Sequence, residues 1–315
     1  MKPILNCISV LILLFSPSVL LAQRETVPKP EEPPVSAPSA FANSDPNYRA
    51  LRDGEPKEAI AVQNLTLTRD VATFTLRTGQ VTFLRPVLGR RALAVFTGQG
   101  NFHLNPVIQI EEKHLEEVTG RKVVDEDFDS ALFVFSDRTY EDVKKGGQAM
   151  EPSPEATRAF DDFRKKIRKR GEENLEAGIL GELYNPSRAG SFGVFLHGKK
   201  HPELHFLLRP GGAVPEISPE EVAVIQEDYE ADDGGIWYLT HRAEEWLKNA
   251  ASSGEEKRIV EAEHYNIETV VDKHEHLHAT AAVRLKALAN GDRVIPFGLL
   301  SALRVSEVQL DGKDT

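Results

Sequence analysis

The chain has 315 residues and a formal net charge of −11, from 38 basic and 49 acidic side chains. This acidic balance argues against nucleic acid or an anionic lipid surface as a partner. The only cysteine, Cys7, lies in the first apolar run, so the rest of the chain has neither a disulfide nor a cysteine nucleophile.

Residues 1–22 have the pattern of a signal peptide. Lys2 supplies a positive start, an apolar run covers residues 4–15, and the small Ala22 is placed for cleavage. The alternative is an uncleaved anchor, because the stretch approaches the about 20 residues of a spanning helix. Pro17 and the serines interrupt that stretch and favour cleavage. We therefore expect a secreted or periplasmic protein with no membrane span after the signal peptide.

Residues 23–58 contain seven prolines among Ser, Ala and Glu. Such a composition buries too little apolar surface to fold, and it predicts an extended, disordered leader.

Residues 59–250 are predicted to form an α+β body of unknown role in which strands predominate. Short segments with alternating apolar residues, separated by Gly or Pro, are typical of successive antiparallel strands. They lie at 61–67, 72–77, 81–84, 92–97, 107–110, 132–135, 192–196 and 205–208.

Two helices are predicted within this body. The first begins at Pro154, after Ser153 as its N-cap, and ends at Gly171. The second follows Ser218, because Glu221 three residues later completes a capping box ahead of an apolar run. The predicted fold class is therefore α+β and mainly antiparallel β, with helices inserted between the strands.

The string His274-Glu275-His276-Leu277-His278 satisfies the zinc motif H-E-x-x-H. On a helix, this spacing places both imidazoles on one face, and the Glu activates a zinc-bound water. Apolar residues alternate on both sides of the string, which instead favours a hairpin tip between two strands. On a strand, His274 and His278 would be about 13 Å apart, too far to share one zinc directly.

The third zinc ligand is also missing. The position 19 residues after His278 is Phe297, and Ala281 and Arg284 stand where the longer motif needs Gly and His. We therefore assign no catalytic, metal or cofactor-binding residue in this chain. A looser metal site formed by His274, His276 and His278 stays an open alternative.

Two other groups of residues are candidates for a site. His197, His201 and His205 have helical spacing, but Gly198 and Pro202 break a helix and favour a hairpin loop over a metal site. The aromatic residues near His241 favour core packing over a binding surface. They are Trp237, Tyr238 and Trp246.

Residues 263–315 resemble the opening of the N-terminal β-sandwich of the aminopeptidase N family of zinc metallopeptidases. The resemblance rests on the order and spacing of four predicted strands, at 265–272, 277–285, 293–297 and 303–308. It implies an incomplete, non-catalytic β-sandwich. Zinc and the peptide substrate would then belong to a downstream catalytic domain, because the family's Gly-Ala-Met-Glu-Asn motif is missing here.

The turn Asp311-Gly312 comes three residues before the end and leaves its strand without a predicted partner. We therefore expect a truncated chain or one part of a longer protein. Two alternatives stay open. One is a self-contained secreted zinc hydrolase using His274, Glu275 and His278; the other is an extracellular binding or scaffold module whose 59–250 body recognises a ligand.

Overall fold

A computed structural model describes residues 45–170, 174–215, 217–273, 276–300 and 303–314. The predicted signal peptide and Cys7 lie outside the described residues. The helices are α1 (Pro46–Asp53), α2 (Gln109–Thr119), α3 (Thr139–Gly146), α4 (Pro154–Arg170), α5 (Leu175–Tyr184) and α6 (Ala243–Leu247). The strands of the body are β1 (Pro56–Arg69), β2 (Ala72–Leu84), β3 (Leu93–Leu104), β4 (Val124–Phe135), β5 (Gln148–Met150), β6 (Phe192–Gly198), β7 (Leu204–Leu208), β8 (Val222–Gln226) and β9 (Gly235–Thr240).

These nine strands form one antiparallel sheet in the order β5-β1-β2-β3-β4-β6-β7-β8-β9. Neighbouring strands are mostly consecutive in the chain, because short turns can join antiparallel strands directly. Strands account for 41% of the structure and helices for 23%, which confirms the predicted α+β, mainly antiparallel class.

The sheet curls around a core of phenylalanines. The rings of Phe74 on β2 and Phe206 on β7 lie 5.5 Å apart, although three strands separate β2 from β7. In a flat sheet those strands would be about 19 Å apart. Phe192 on β6 completes the contact, 5.6 Å from Phe74. The side chains on the concave face of the sheet therefore pack against one another.

A second core covers the opposite face of the sheet at one end of the strands. Here α4 packs against β3 and β4 through Phe160, Phe163 and Ile167. Helix α1 ends at Gly54, whose φ of 60° and closeness to the Phe160 ring leave no room for a side chain. The helix predicted from Pro154 is confirmed, and its apolar face is buried as the sequence indicates.

Other local predictions within residues 23–250 are wrong. Residues 107–110 form no strand, because Gln109 begins α2. No helix follows Ser218; residues 222–226 form the fully buried strand β8, whose pairing with β7 and β9 overrides the capping-box signal. Helix α1 and the start of β1 are ordered within the stretch assigned to a disordered leader, since Asp45 caps α1 with two side-chain hydrogen bonds.

The last part of the chain forms a separate hairpin. Strands β10 (Val260–Val271) and β11 (Leu277–Ala287) pair with each other, as the alternating pattern predicts, and with no other strand of the described residues. The prediction of two more strands, over 293–297 and 303–308, is wrong, because neither segment pairs with β10 or β11. Near the end, β12 (Gln309–Leu310) and β13 (Lys313–Asp314) flank the predicted turn, and Asp311 and Gly312 both have positive φ.

Among the described residues, no helix is both long and apolar enough to cross a membrane.

Candidate functional site

The H-E-x-x-H string lies at the turn of the β10–β11 hairpin. His274 and Glu275 fall outside the described residues. His278 lies on β11, is exposed and pairs across the hairpin with Val270. His276 lies 3.1 Å from the Asp272 carboxylate through Nδ1. The residues that follow the string thus form a strand, not the helix that would place two imidazoles on one zinc.

The structure separates the three histidines of the β6–β7 region. His197 Nδ1 lies 3.3 Å from Lys166 Nζ, and His205 Nδ1 lies 3.0 Å from Glu227 Oε1. His201 instead lies in the loop and contacts Glu126 on β4. The predicted hairpin loop is therefore confirmed, and each imidazole has a different set of neighbours.

His201 and Glu126 form a buried polar unit. Glu126 is 1% exposed and accepts hydrogen bonds from the Lys200 amide at 2.6 Å and from His201 Nδ1 at 2.7 Å. His201 Nε2 lies 3.3 Å from Asp233, and its ring meets Trp237 edge-on. Burial would raise the pKa of Glu126, but the hydrogen bonds from His201 and Lys200 outweigh it and hold that pKa below its usual value.

A second cluster, in which Glu221 and His241 are buried, lies where the body meets the hairpin. It consists of Glu221, His241, Glu245 and Glu255, which each offer a ligand atom within 4.8 Å of the others. Glu221 is 1% exposed and lies 3.1 Å from His241 Nδ1. Sequence reasoning missed this cluster because its members come from four separate places: the residue before β8, the residue after β9, helix α6 and a later loop.

This cluster already contains a cation. Lys257 Nζ lies 2.5 Å from Glu221 and 2.7 Å from Glu255. Burial raises the pKa of Glu245, and repulsion from Glu221 and Glu255 adds to that rise. A metal ion would have to displace the Lys257 ammonium, so the arrangement is best described as an internal ion cluster that holds residues 255–257 on the body.

The aromatic residues near this cluster belong mainly to the core. Trp237 is 2% exposed and Tyr238 is fully buried, which confirms the core-packing prediction for both. Trp246 is 40% exposed, and its indole N–H donates to Thr240.

The hairpin is held to the body at its base. On the entering side, Ile259 is buried next to the Lys257 ion pairs. On the leaving side, the buried Asn185 accepts hydrogen bonds from the amides of Arg293 and Val294 and donates to the Val294 carbonyl. The chain therefore has defined contacts with the body just before β10 and a few residues after β11.

One face of the hairpin is apolar and exposed. By strand alternation and register, each residue on this face is apolar except Thr269. Tyr265, Ile267 and Val271 are each about 60% exposed. The face comprises Val260, Ala262, Tyr265, Ile267, Thr269, Val271, Leu277, Ala279, Ala281, Val283, Leu285 and Ala287.

No protein-family model, no curated protein and no solved structure matches this chain.

Proposed function

We propose that this chain is the exported, non-catalytic N-terminal region of an aminopeptidase N-like zinc metallopeptidase. The apolar face of the β10–β11 hairpin carries this proposal. A two-stranded hairpin is marginally stable by itself in water, and large exposed apolar patches mark interaction surfaces. In the family that residues 263–315 resemble, strands of this order open a β-sandwich, in which a second sheet covers such a face.

The contacts at the base of the hairpin support this function. Lys257 and Ile259 hold the entering strand, and Asn185 holds the chain at residues 293–294. The hairpin is therefore fixed where it leaves the body while its apolar face stays open. Such an arrangement suits a first pair of strands on which further strands assemble.

In this proposal, zinc and the peptide substrate belong to a catalytic domain downstream of the sandwich. The described part of the H-E-x-x-H string supports that assignment, because His278 projects from the polar face of β11 beside Thr280 and Arg284. On β11, His278 occupies a strand position and not the helical position that the zinc motif requires.

The reading frame of the gene beyond the Thr315 codon tests the proposal. We expect further β-strands in the same frame, followed by a helical domain with its own H-E-x-x-H motif and a later glutamate ligand. A stop codon directly after Thr315 would contradict the proposal and favour an extracellular binding module.

Metal analysis of the purified chain separates the proposal from a self-contained zinc hydrolase. We expect far less than one zinc per chain, with no change in His278→Ala or in His103→Ala, an exposed histidine on β3 that serves as the control. One zinc per chain that is lost in His278→Ala and kept in His103→Ala would establish the hydrolase instead.

A further inference from the structure

An open polar cavity of about 520 Å³ lies beside β2, β3 and β4, away from the hairpin strands. Four of its lining residues are cations, in a protein whose net charge is −11. They are Arg77 on β2, Arg121 after α2, and Lys199 and Lys200 in the β6–β7 turn. Three carboxylates also line it, so the cavity has a small excess of positive charge within an acidic protein.

The carboxylates of the cavity have other partners. Asp127 pairs with Arg77 at 2.9 Å, and the Asn101 amide donates to both Asp125 and Asp127. Glu126 is buried and accepts its hydrogen bonds from the β6–β7 turn. Arg77 and Asp127 thereby offset each other, which leaves Arg121, Lys199 and Lys200 with two carboxylates, Asp125 and the buried Glu126.

The side chains of Arg121, Lys199 and Lys200 have no hydrogen bond or ion pair with the described residues, and all three are exposed. Most lysines and arginines on the nearby α2 and β1–β2 surfaces are paired with carboxylates; Lys122, for example, lies 2.7 Å from Glu112. Three unpaired donors around one concave space are a ready site for a negatively charged group.

The backbone on both walls of the cavity is fixed. The Lys199 amide donates to the Asp127 carbonyl at 2.8 Å, and the Lys200 amide donates to Glu126 at 2.6 Å. On the opposite wall, the Thr119 hydroxyl bonds both the amide and the carbonyl of Arg121 at 3.2 Å. A ligand would therefore order only the side chains, which lowers the entropy cost of binding.

We propose that this cavity binds a small molecule through an oxyanion group, a phosphate or a carboxylate, held by Arg121, Lys199 and Lys200. Its volume lies within the about 300–1,000 Å³ that is typical of small-molecule sites, and it exceeds the volume of a bare ion. The acidic protein as a whole repels anions, so binding here depends on these three side chains. This inference concerns the body and does not rest on the proposed function of the hairpin.

Calorimetric titration of the purified chain with sodium phosphate tests the site, with sodium chloride of equal ionic strength as the reference. We expect saturable phosphate binding that weakens about tenfold in each of Lys199→Gln, Lys200→Gln and Arg121→Gln, because each removes one charged hydrogen bond. Lys145→Gln is the matched control; this lysine is exposed on α3, outside the cavity, and its loss is expected to leave binding unchanged.

A parallel titration with sodium acetate separates the two sources of the oxyanion. Binding of acetate as tight as that of phosphate assigns a carboxylate ligand, and tighter binding of phosphate assigns a phosphate ester. Absence of saturable binding for both salts overturns the site. A loss of phosphate affinity in Lys145→Gln as large as that in the three cavity variants also overturns the site, provided that circular dichroism shows all variants to be folded. Phosphate binding would then reflect only the overall charge of the protein.

Discussion

Replacing Lys257 with methionine tests whether the internal ion cluster fastens the base of the hairpin. Methionine keeps much of the length and apolar stem of lysine but removes the ammonium that lies 2.5 Å from Glu221 and 2.7 Å from Glu255. Glu221 is 1% exposed, so the substitution leaves a buried carboxylate that keeps His241 as a partner but also has the carboxylates of Glu245 and Glu255 close by. Breaking a buried pair in this way typically costs 3–5 kcal/mol.

The expected loss for Lys257→Met lies at the lower end of that range. Lys257 is itself 20% exposed and Glu255 is 32% exposed, so the second ion pair contributes at most about 1 kcal/mol. We expect the free energy of unfolding to fall by about 3 kcal/mol, measured by urea titration with tryptophan fluorescence. In a protein of this size, that loss lowers the melting temperature by roughly 6–12 °C.

A matched control and a double-mutant cycle make this prediction specific. Lys248→Met removes the same charge from an exposed pair with Glu244 on α6 and is expected to cost less than about 0.5 kcal/mol. Combining Lys257→Met with Glu221→Gln should recover at least about 1.5 kcal/mol, since the uncompensated charge is then gone. An effect of Lys257→Met no larger than that of Lys248→Met would refute the assignment of the cluster as a structural fastening.

Four further predictions concern other parts of the molecule. His201→Ala should lower the free energy of unfolding at pH 7 by about 1–3 kcal/mol, because Glu126 loses its partner. The pKa of Glu126 is lowered in the folded protein, so this contribution to the stability of the wild type is lost as the pH falls below 4.5. The free energies of unfolding of the two proteins, measured across an acid titration, should therefore converge below that pH. Tyr238→Phe should leave the free energy of unfolding, measured by urea titration, unchanged or raise it by up to about 1 kcal/mol, because the buried hydroxyl has no hydrogen-bond partner among the described residues. A decrease of more than about 1 kcal/mol would show that the hydroxyl has a partner. Ile267→Asp should leave stability within about 0.5 kcal/mol and reduce binding of the dye ANS, since the side chain is 60% exposed; unchanged dye fluorescence would show that the apolar face is covered. Excess EDTA should not shift the melting temperature, because Lys257 supplies the cation of the buried cluster; a fall of several degrees would instead indicate a bound metal.

The sequence was informative where a signal is local. Alternation of apolar residues identified most of the strands in the body and both strands of the hairpin, since side chains on successive strand residues point to opposite faces. Ser153 and Pro154 identified the start of α4 for a similarly local reason. Helix α5 was not predicted, because it has no polar face to alternate with its apolar residues at helical spacing. Its glutamates are buried together with Leu175, Ile179 and Leu180.

The sequence alone determined the class of the fold, the strand character of the residues around the H-E-x-x-H string, and an acidic charge that argues against nucleic acid. Only the tertiary structure decided which distant groups meet. Glu126 and His201 are 75 residues apart, and Glu221 and Lys257 are 36 apart. Their pairing depends on the curl and strand order of the sheet, which no local pattern encodes. The tertiary structure likewise decided that 222–226 is a strand, because pairing with two neighbours outweighs a capping box.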